Sequence, residues 1–384
     1  MRFEFATAGR IIFGAGTMRE VPAAAAALGR RALVVTGANP DRAAQLTAGL
    51  QAAGVSCVPF AVAGEPSIES VRRGAQFARA EACEMVVAMG GGSALDAGKA
   101  LSALLTNTGD VLDYLEVVGR GGPLERAAAP CIAIPTTAGT GSEVTRNAVL
   151  GSPDHRVKAS LRSASMLPRL AVVDPELTRQ LPPGITASTG LDALTQLIEA
   201  YVSVRANPMT DLYCVEGIRL AAPALLRVFV QRDDMAARSD MAWASLLGGL
   251  ALANAGLGAV HGLAAPVGGM FPAPHGAVCA AVLPHAMDVN VRALRERDPH
   301  GDGLRRYDEV ARLLTAKSTA TAEDGVRSIT EICGRLEIPP LRTYGVTTAD
   351  FPELVEKAAK ASSMKGNPIV LSSAELSEIL TRAV

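Results

Sequence analysis

The 384-residue chain reads as an α/β half followed by an all-helical half, with the boundary near residue 182. Two observations predict this. Up to about Val173, short β-branched runs alternate with helical patterns, which is how a mainly parallel sheet is written into a sequence. After Pro182-Pro183 strand signals nearly vanish, and long Ala/Leu-rich segments take over. The length exceeds one ordinary core, and a composition of 49% hydrophobic and 20% charged residues is globular. The expected domains are 1–182 and 183–384.

In the first half, Arg31–Thr36 is a strand ending at Gly37-Ala-Asn-Pro40, and a helix follows from Asp41 to about Ala53. Val55–Val58 is the next strand. Ser67 to Ala82 is amphipathic, with Ile68, Val71, Ala75 and Ala78 at helical spacing. Met85–Met89, Cys131–Ile134 and Leu170–Val173 complete the strands. In the second half, helices are expected over Thr186–Arg205, Pro208–Phe229 and Met235–Ala255, and the same texture continues from His300 to the end.

Charge and cysteine usage exclude several classes. Lys+Arg is 37 against Asp+Glu 38, a net charge of -1, so no general attraction for a nucleic-acid backbone exists. The six cysteines lie far apart with no C-x-x-C pair, and five of them sit beside apolar neighbours. Free thiols and a reducing cytoplasm are expected rather than a disulfide scaffold. The first ten residues lack a signal-peptide apolar core. The most apolar stretch, Ala244–Val260, is interrupted by glycines and Asn254, so it reads as a buried small-residue helix and not a membrane span.

Three segments carry chemistry. Met89-Gly-Gly-Gly-Ser93-Ala-Leu-Asp96-Ala-Gly-Lys99 lies between a strand and a helix. Its glycines let a pyrophosphate approach the backbone, the helix start offers free N–H groups, and Ser93 adds a hydroxyl. The pattern is neither G-x-G-x-x-G nor a P-loop, and it also fits a plain tight turn. Ile134-Pro-Thr-Thr-Ala-Gly-Thr-Gly-Ser-Glu143-Val-Thr145 also follows a strand. It places the hydroxyls of Thr136, Thr137 and Thr140 where α/β sheets bind ligands, or else it is a helix start capped by Ser142 and Thr145. The third is dispersed: Asp192, His261 and His275. One carboxylate and two imidazoles suit Zn²⁺ or Fe²⁺ and leave a coordination position open, although the histidines by themselves read first as capping or core residues.

Together with Ile11-Ile-Phe-Gly-Ala-Gly16, Asp174-Pro175, the T-G-x-D-A-L segment at Thr189–Leu194 and the H-G and P-H-G histidines, this ordered set resembles the iron-containing (group III) alcohol dehydrogenase family over nearly the whole chain. The resemblance implies a Rossmann-like N-terminal dinucleotide-binding domain, an all-α C-terminal metal-binding domain, and hydride transfer in the cleft between them. It implies an NAD(P)-linked alcohol dehydrogenase or aldehyde reductase acting on a small alcohol or aldehyde. A homodimer with no membrane partner is implied as well. Gly90, Gly91, Gly92 and Ser93 are then expected at the pyrophosphate, with Asp96 in the same motif. Thr136 and Thr137 line the cofactor, and Lys158 lies near the nicotinamide ribose. Asp192, His261 and His275 hold the metal, which polarises the substrate oxygen as a Lewis acid.

Three positions depart from the family pattern. Gln196, one helical turn after Asp192, stands where the family has His and offers only a neutral carbonyl oxygen as a ligand. Ala265 replaces a second His. The first change favours zinc over iron, and the second removes a proton-relay candidate. Gly37 stands at a strand end where NAD-preferring relatives carry Asp. Without that carboxylate, Asn39 and Arg42 are placed to receive NADP, unless Gly37 is simply a turn residue. The rival readings are a maleylacetate reductase-like keto-acid reductase, a lyase on the same scaffold resembling dehydroquinate synthase, and a nucleotide-binding protein without turnover.

Overall fold

The structure, a computed structural model, describes residues 2–384. It falls into two compact units, Ala6–Arg179 and Gln180–Val384, and the residues up to Phe5 cluster with the second.

The first unit runs β1 (Ile11–Phe13), α1 (Val21–Ala26), β2 (Arg31–Thr36), α2 (Ala44–Ala52), β3 (Ser56–Ala61), α3 (Ile68–Ala80), β4 (Met85–Gly90), α4 (Gly92–Thr106), α5 (Val111–Tyr114), β5 (Cys131–Pro135), β6 (Asn147–Ser152), β7 (Val157–Arg162) and β8 (Leu170–Val173). Six strands form one parallel sheet in the order β1-β8-β5-β4-β2-β3. Within β2, Ala32–Val35 is an unbroken apolar run because alternate residues serve two cores. Leu33 and Val35 join Val86 and Ala88 on one face, and Ala32 and Val34 join Val87 and Ile132 on the other. After β2 the chain runs out to the edge strand β3 and returns to β4 on the other side of β2. The carboxyl ends of β2 and β4 therefore flank a topological switch point, the usual ligand crevice of open α/β sheets.

The antiparallel pair β6–β7 is a departure from the expected strand list. Its residues alternate half-buried and buried along β6, where Val149 is the single β-branched residue. Such a strand is quiet in the sequence. It is held in place by a fully buried cation. Lys99, on α4, is 0% exposed. Its ammonium donates to Thr145 Oγ1 at 2.8 Å and to the Asn147 carbonyl, and lies 3.1 Å from Asp96 Oδ1. Asp96 in turn accepts from Ser142 Oγ at 2.5 Å and from the Val149 N–H at 2.9 Å. One ion pair thus joins α4, the Thr-rich loop and β6.

The second unit contains only helices: α6 (Pro183–Val202), α7 (Pro208–Val230), α8 (Met235–Ala255), α9 (Ala259–Met270), α10 (His275–Arg297), α11 (Asp302–Thr315), α12 (Ala322–Arg335), α13 (Phe351–Lys360) and α14 (Ser373–Ala383), with short 3₁₀ turns between some of them. The first of these is the central helix: every residue from Gly190 to Val202 is buried. Phe5 packs on Tyr213 of α7 with ring centroids 5.7 Å apart, which draws the N-terminal residues to this unit and not to the α/β domain expected to contain them. Among the described residues no single helix is long and apolar enough to cross a membrane. Only α8 and α9 together pass by composition; they bend by 98°, and most of their residues are buried. All six cysteines are free, with Cys57 and Cys333 only half-buried.

Lys99→Met removes the cation and leaves Asp96 without its charge partner. Loss of one member of a buried pair is expected to destabilise the fold by about 3–5 kcal/mol, read from urea unfolding. A loss under about 1 kcal/mol would mean that the ion pair does not hold the loop and hairpin to α4.

Candidate metal centre and dinucleotide site

Three helices build the metal centre. Asp192 sits on α6 and is 1% exposed; His261 sits in the first turn of α9 and is 6% exposed. His275 opens α10. The Asp192 Oδ1 lies 3.3 Å from His261 Nε2 and 3.7 Å from His275 Nε2, and the two imidazole centroids are 5.3 Å apart. The structure thus brings together the three residues that the sequence spreads over 84 positions.

Two further groups complete the cluster, and sequence reasoning assigned a role to neither. Glu199 is on α6, seven residues after Asp192 and so on the same helical face. Its Oε1 accepts from the Val260 N–H at 2.6 Å, and its Oε2 lies 2.6 Å from His261 Nδ1. A carboxylate only accepts, so Nδ1 carries a proton and Nε2 is turned toward Asp192. The same contacts satisfy an N–H group at the start of α9. Cys279 is on α10, one turn after His275, with its Sγ 3.6 Å from His275 Nε2. The spacing His275-x-x-x-Cys279 was visible, but its apolar neighbours read as core.

Burial opposes charge on Asp192, His261 and His275. The two imidazoles outweigh it for Asp192 and hold its carboxyl below the usual carboxylate range. The surrounding Cys279 sulfur and the carboxylates hold His261 well above, and His275 above, an ordinary histidine. Asp192 Oδ1, Gln196 Oε1 and His261 Nε2 are all buried without a hydrogen-bond partner. Buried polar atoms are rarely left so, and Asp192 Oδ1 and His261 Nε2, 3.3 Å apart, are spaced as two ligands of one cation would be. The residues present therefore fit a divalent metal. Gln196 lies one turn beyond Asp192 on α6, and its Oε1 is one of these orphan acceptors.

In the first unit, Gly90 ends β4, Gly91 precedes α4, and Gly92 and Ser93 form its first turn. No side chain caps this helix start. A Cβ at Gly90 would fall 2.6 Å from Ala94 Cβ, and one at Gly92 would fall 2.6 Å from Thr140 Cγ2, so both positions exclude any larger residue. The Thr136 N–H donates to the Gly90 carbonyl at 2.8 Å, and Gly91 faces Thr137, so the glycine turn and the Thr-rich loop lie side by side. Thr36 Oγ1, at the end of β2, is buried and unpartnered. Bare backbone, an uncapped helix N-terminus and an orphan hydroxyl at the switch point fit a dinucleotide.

Other expected residues have partners within the protein. Both oxygens of Asp96 are engaged by Ser142, Val149 and Lys99, so this carboxylate shapes the loop from behind. Ser142 accordingly spends its hydroxyl on Asp96. Lys158, on β7, pairs with Glu65 at 2.6 Å. Asn39 caps the 3₁₀ turn at Pro40–Ala43 through the Asp41 N–H at 3.0 Å, and Arg42 reaches the Leu177 carbonyl at 3.4 Å. A Cβ at Gly37 would meet nothing within 4 Å, and its φ is not in the left-handed region. Neither packing nor the turn demands glycine at this strand end.

Fold and site define a dinucleotide-linked, metal-dependent oxidoreductase. The family model described as iron-containing alcohol dehydrogenase matches residues 8–175, and its C-terminal counterpart matches residues 186–384. A 1,3-propanediol dehydrogenase of Citrobacter freundii is 37% identical over 370 residues, 92% of each chain. The crystal structure of a 1,3-propanediol oxidoreductase superposes over 100% of both chains with a TM-score of 0.92 at 34% identity. A sulfoacetaldehyde reductase from Bifidobacterium kashiwanohense, solved in complex with NAD+, superposes with a TM-score of 0.86 at 29% identity, covering 100% of this chain and 99% of that one. The chain belongs to the iron-containing alcohol dehydrogenase family, whose members use NAD(P) and a divalent metal, and it is an oxidoreductase acting on CH–OH groups.

Glu143 supplies a pH test of the Thr-rich loop. It is 1% exposed, its Oε2 has no partner, and burial pushes its carboxyl from 4.5 up to about 7. The folded state therefore holds a proton that the unfolded state has released between those values. The stability this confers is complete below 4.5 and is lost as pH rises through about 7. The loss corresponds to about 3 kcal/mol. Glu143→Gln is expected to abolish that part of the decline and to raise the melting temperature above neutral pH. An unchanged pH–stability profile in the variant would refute the assignment.

Proposed function

We propose that the protein is a metal-dependent NAD(P)-linked alcohol dehydrogenase or aldehyde reductase with a small alcohol or aldehyde as substrate. The observation that carries this reading is the pair of orphaned atoms, Asp192 Oδ1 and His261 Nε2, facing each other at 3.3 Å inside a buried cluster. Asp192, His261 and His275 are the metal ligands, with the Gln196 carbonyl as a weaker neutral donor. Zinc suits this set, because one carboxylate and two imidazoles as the strong donors match the three-ligand pattern of catalytic zinc sites. When bound, the metal supplies Lewis acidity toward an alcohol or carbonyl oxygen, and the nicotinamide takes or gives the hydride.

The protein's own groups hold and orient. Glu199 fixes the His261 ring and its tautomer, a contact typical of carboxylate–histidine–metal arrangements. Gly90, Gly91, Gly92 and Ser93 cradle the pyrophosphate at the start of α4, while Thr136 and Thr137 line the dinucleotide. Asp96 and Lys99 set the position of that loop from the interior, and Lys158 on β7 lies toward the ribose. Six free cysteines support a cytoplasmic enzyme, and a mean hydropathy of +0.23 supports a homodimer.

The test is elemental analysis of the purified protein together with NADH and NADPH oxidation across short aldehydes and keto acids. Stoichiometric metal with metal-dependent turnover is expected; bound dinucleotide with neither metal nor turnover would overturn the reading.

Gly37 is the position at which cofactor choice is read. Nothing fills the space beside it, so NADP(H) is expected to be accepted. Gly37→Asp places a carboxylate there without a steric clash. It is expected to leave stability unchanged and to shift kcat/KM toward NADH by about tenfold or more, a discrimination of about 1.4 kcal/mol. Equal preference in both proteins would show that selection lies elsewhere.

A further inference from the structure

We propose that Cys279 is the fourth strong protein ligand of the metal centre, and that its thiolate makes this centre select a thiophilic metal, zinc, over iron(II). The proposal rests on the metal-site reading above and names a ligand beyond it.

The geometry is that of a ligand. One donor atom each from Asp192, His261, His275 and Cys279 can be chosen so that all lie within 4.8 Å of one another. With Zn–N and Zn–O bonds of about 2.0 Å and a Zn–S bond of about 2.3 Å, a tetrahedral site has N···O edges of about 3.3 Å and N···S edges of about 3.5 Å. The observed separations are 3.3 Å and 3.7 Å for Asp192 Oδ1 to the two histidines, and 3.6 Å for Cys279 Sγ to His275 Nε2. The sulfur thus stands at a ligand-to-ligand distance from His275 and within 4.8 Å of the other two donors. It is carried by the same face of α10 as His275, four residues on.

The surroundings leave the thiol few other roles. Cys279 is 0% exposed and in no disulfide. Nearby Asp192 Oδ1 and His261 Nε2 are buried acceptors without partners, an independent sign that a cation is expected at this point. Asp192 and Cys279 as anions match a divalent charge in a low-dielectric interior. Gln196, by contrast, brings a neutral oxygen, so the thiol is the one remaining donor of comparable strength to an imidazole. On coordination the S–H bond breaks, the metal–sulfur bond forms with the sulfur lone pair, and the proton leaves to solvent; no electron is exchanged. Soft sulfur favours zinc or cobalt over iron(II). Four protein ligands close a tetrahedral shell, so substrate access then depends on expansion to five-coordination.

The test uses the full-length protein, stripped of metal and reloaded with Co²⁺ or Zn²⁺. The Co²⁺ protein is expected to show near-ultraviolet thiolate-to-cobalt charge transfer, which Cys279→Ser and Cys279→Ala both lose. In both variants zinc affinity, measured by chelator competition, is expected to fall by about tenfold or more while the melting temperature of the stripped protein stays the same. The ratio of zinc to iron bound from an equimolar mixture falls with it. Wild-type cobalt protein without the charge-transfer band, or a Cys279→Ser variant with unchanged zinc affinity, would overturn the proposal while leaving the metal centre standing. Failure of the wild-type protein to bind zinc, cobalt or iron at all would instead overturn the metal-site reading on which it depends.

Discussion

Lys99 places an ammonium in the fully buried interior of the α/β unit, and that charge cannot be left unmatched there. Its partners dictate much of what surrounds it. Asp96 neutralises it, Thr145 and Asn147 accept from it, and the remaining capacity of Asp96 is filled by Ser142 and Val149. Because these groups lie on α4, on the Thr-rich loop and on β6, satisfying one cation fixes three segments together. The segment between Thr136 and Asn147 thus owes its course to an ion pair behind it as much as to its glycines. That course in turn sets Thr137 and Thr140 against the glycine turn.

The helical unit obeys the same constraint with the sign reversed. Asp192 and Glu199 are carboxylates buried in the central helix, at 1% and 5% exposure. Glu199 is satisfied by the first N–H groups of α9 and by the His261 ring, so one carboxylate both starts a helix and orients an imidazole. Asp192 is matched only by the imidazoles around it. A carboxylate that is fully bonded acts as scaffold, whereas one that faces only histidines and a sulfur has capacity left for a cation. This difference separates Glu199 from Asp192 although both face the same way on one helix.

How much of this was legible follows from how each site is made. The dinucleotide turn is made by the absence of side chains in one short segment, so Gly90, Gly91 and Gly92 announce it locally. The β2, β4, β5 and β8 strands were equally plain, because a run buried on both faces has no polar interruptions. The hairpin β6–β7 was not, since each strand has a single β-branched residue, Val149 and Val157, among small and polar ones. Asp192, His261 and His275 were legible only as part of an ordered motif set. Glu199 and Cys279 were missed for a physical reason: the partners of Glu199 lie on α9, and the donors that set Cys279 and His275 apart from core residues lie on α6 and α9. Glu199 acts on a residue 62 positions away, and Cys279 among apolar neighbours is indistinguishable from a core thiol until α6 and α9 are in place.

The convergence of these groups depends on how closely other helices can approach α6. A Cβ at Gly276 would fall 2.6 Å from the Ser188 carbonyl oxygen and 3.4 Å from Asp192 Cβ, so α10 can bring His275 and Cys279 to Asp192 only if position 276 is bare. A Cβ at Gly258 would fall 2.9 Å from Glu199 Oε1, so the start of α9 meets its capping carboxylate on the same condition. Polar donor atoms gather here because backbone, not side chain, makes the helix contacts beside them. Gly258 and Gly276 are therefore the steric condition for this cluster of donor groups. The H-G and P-H-G pairs differ in how they meet it: Gly276 admits α6 itself, whereas a Cβ at Gly262, after His261, would meet the Met364 side chain at 2.7 Å. Glycine beside the second histidine thus permits the ligand set to form, and glycine beside the first keeps the outer wall of α9 close.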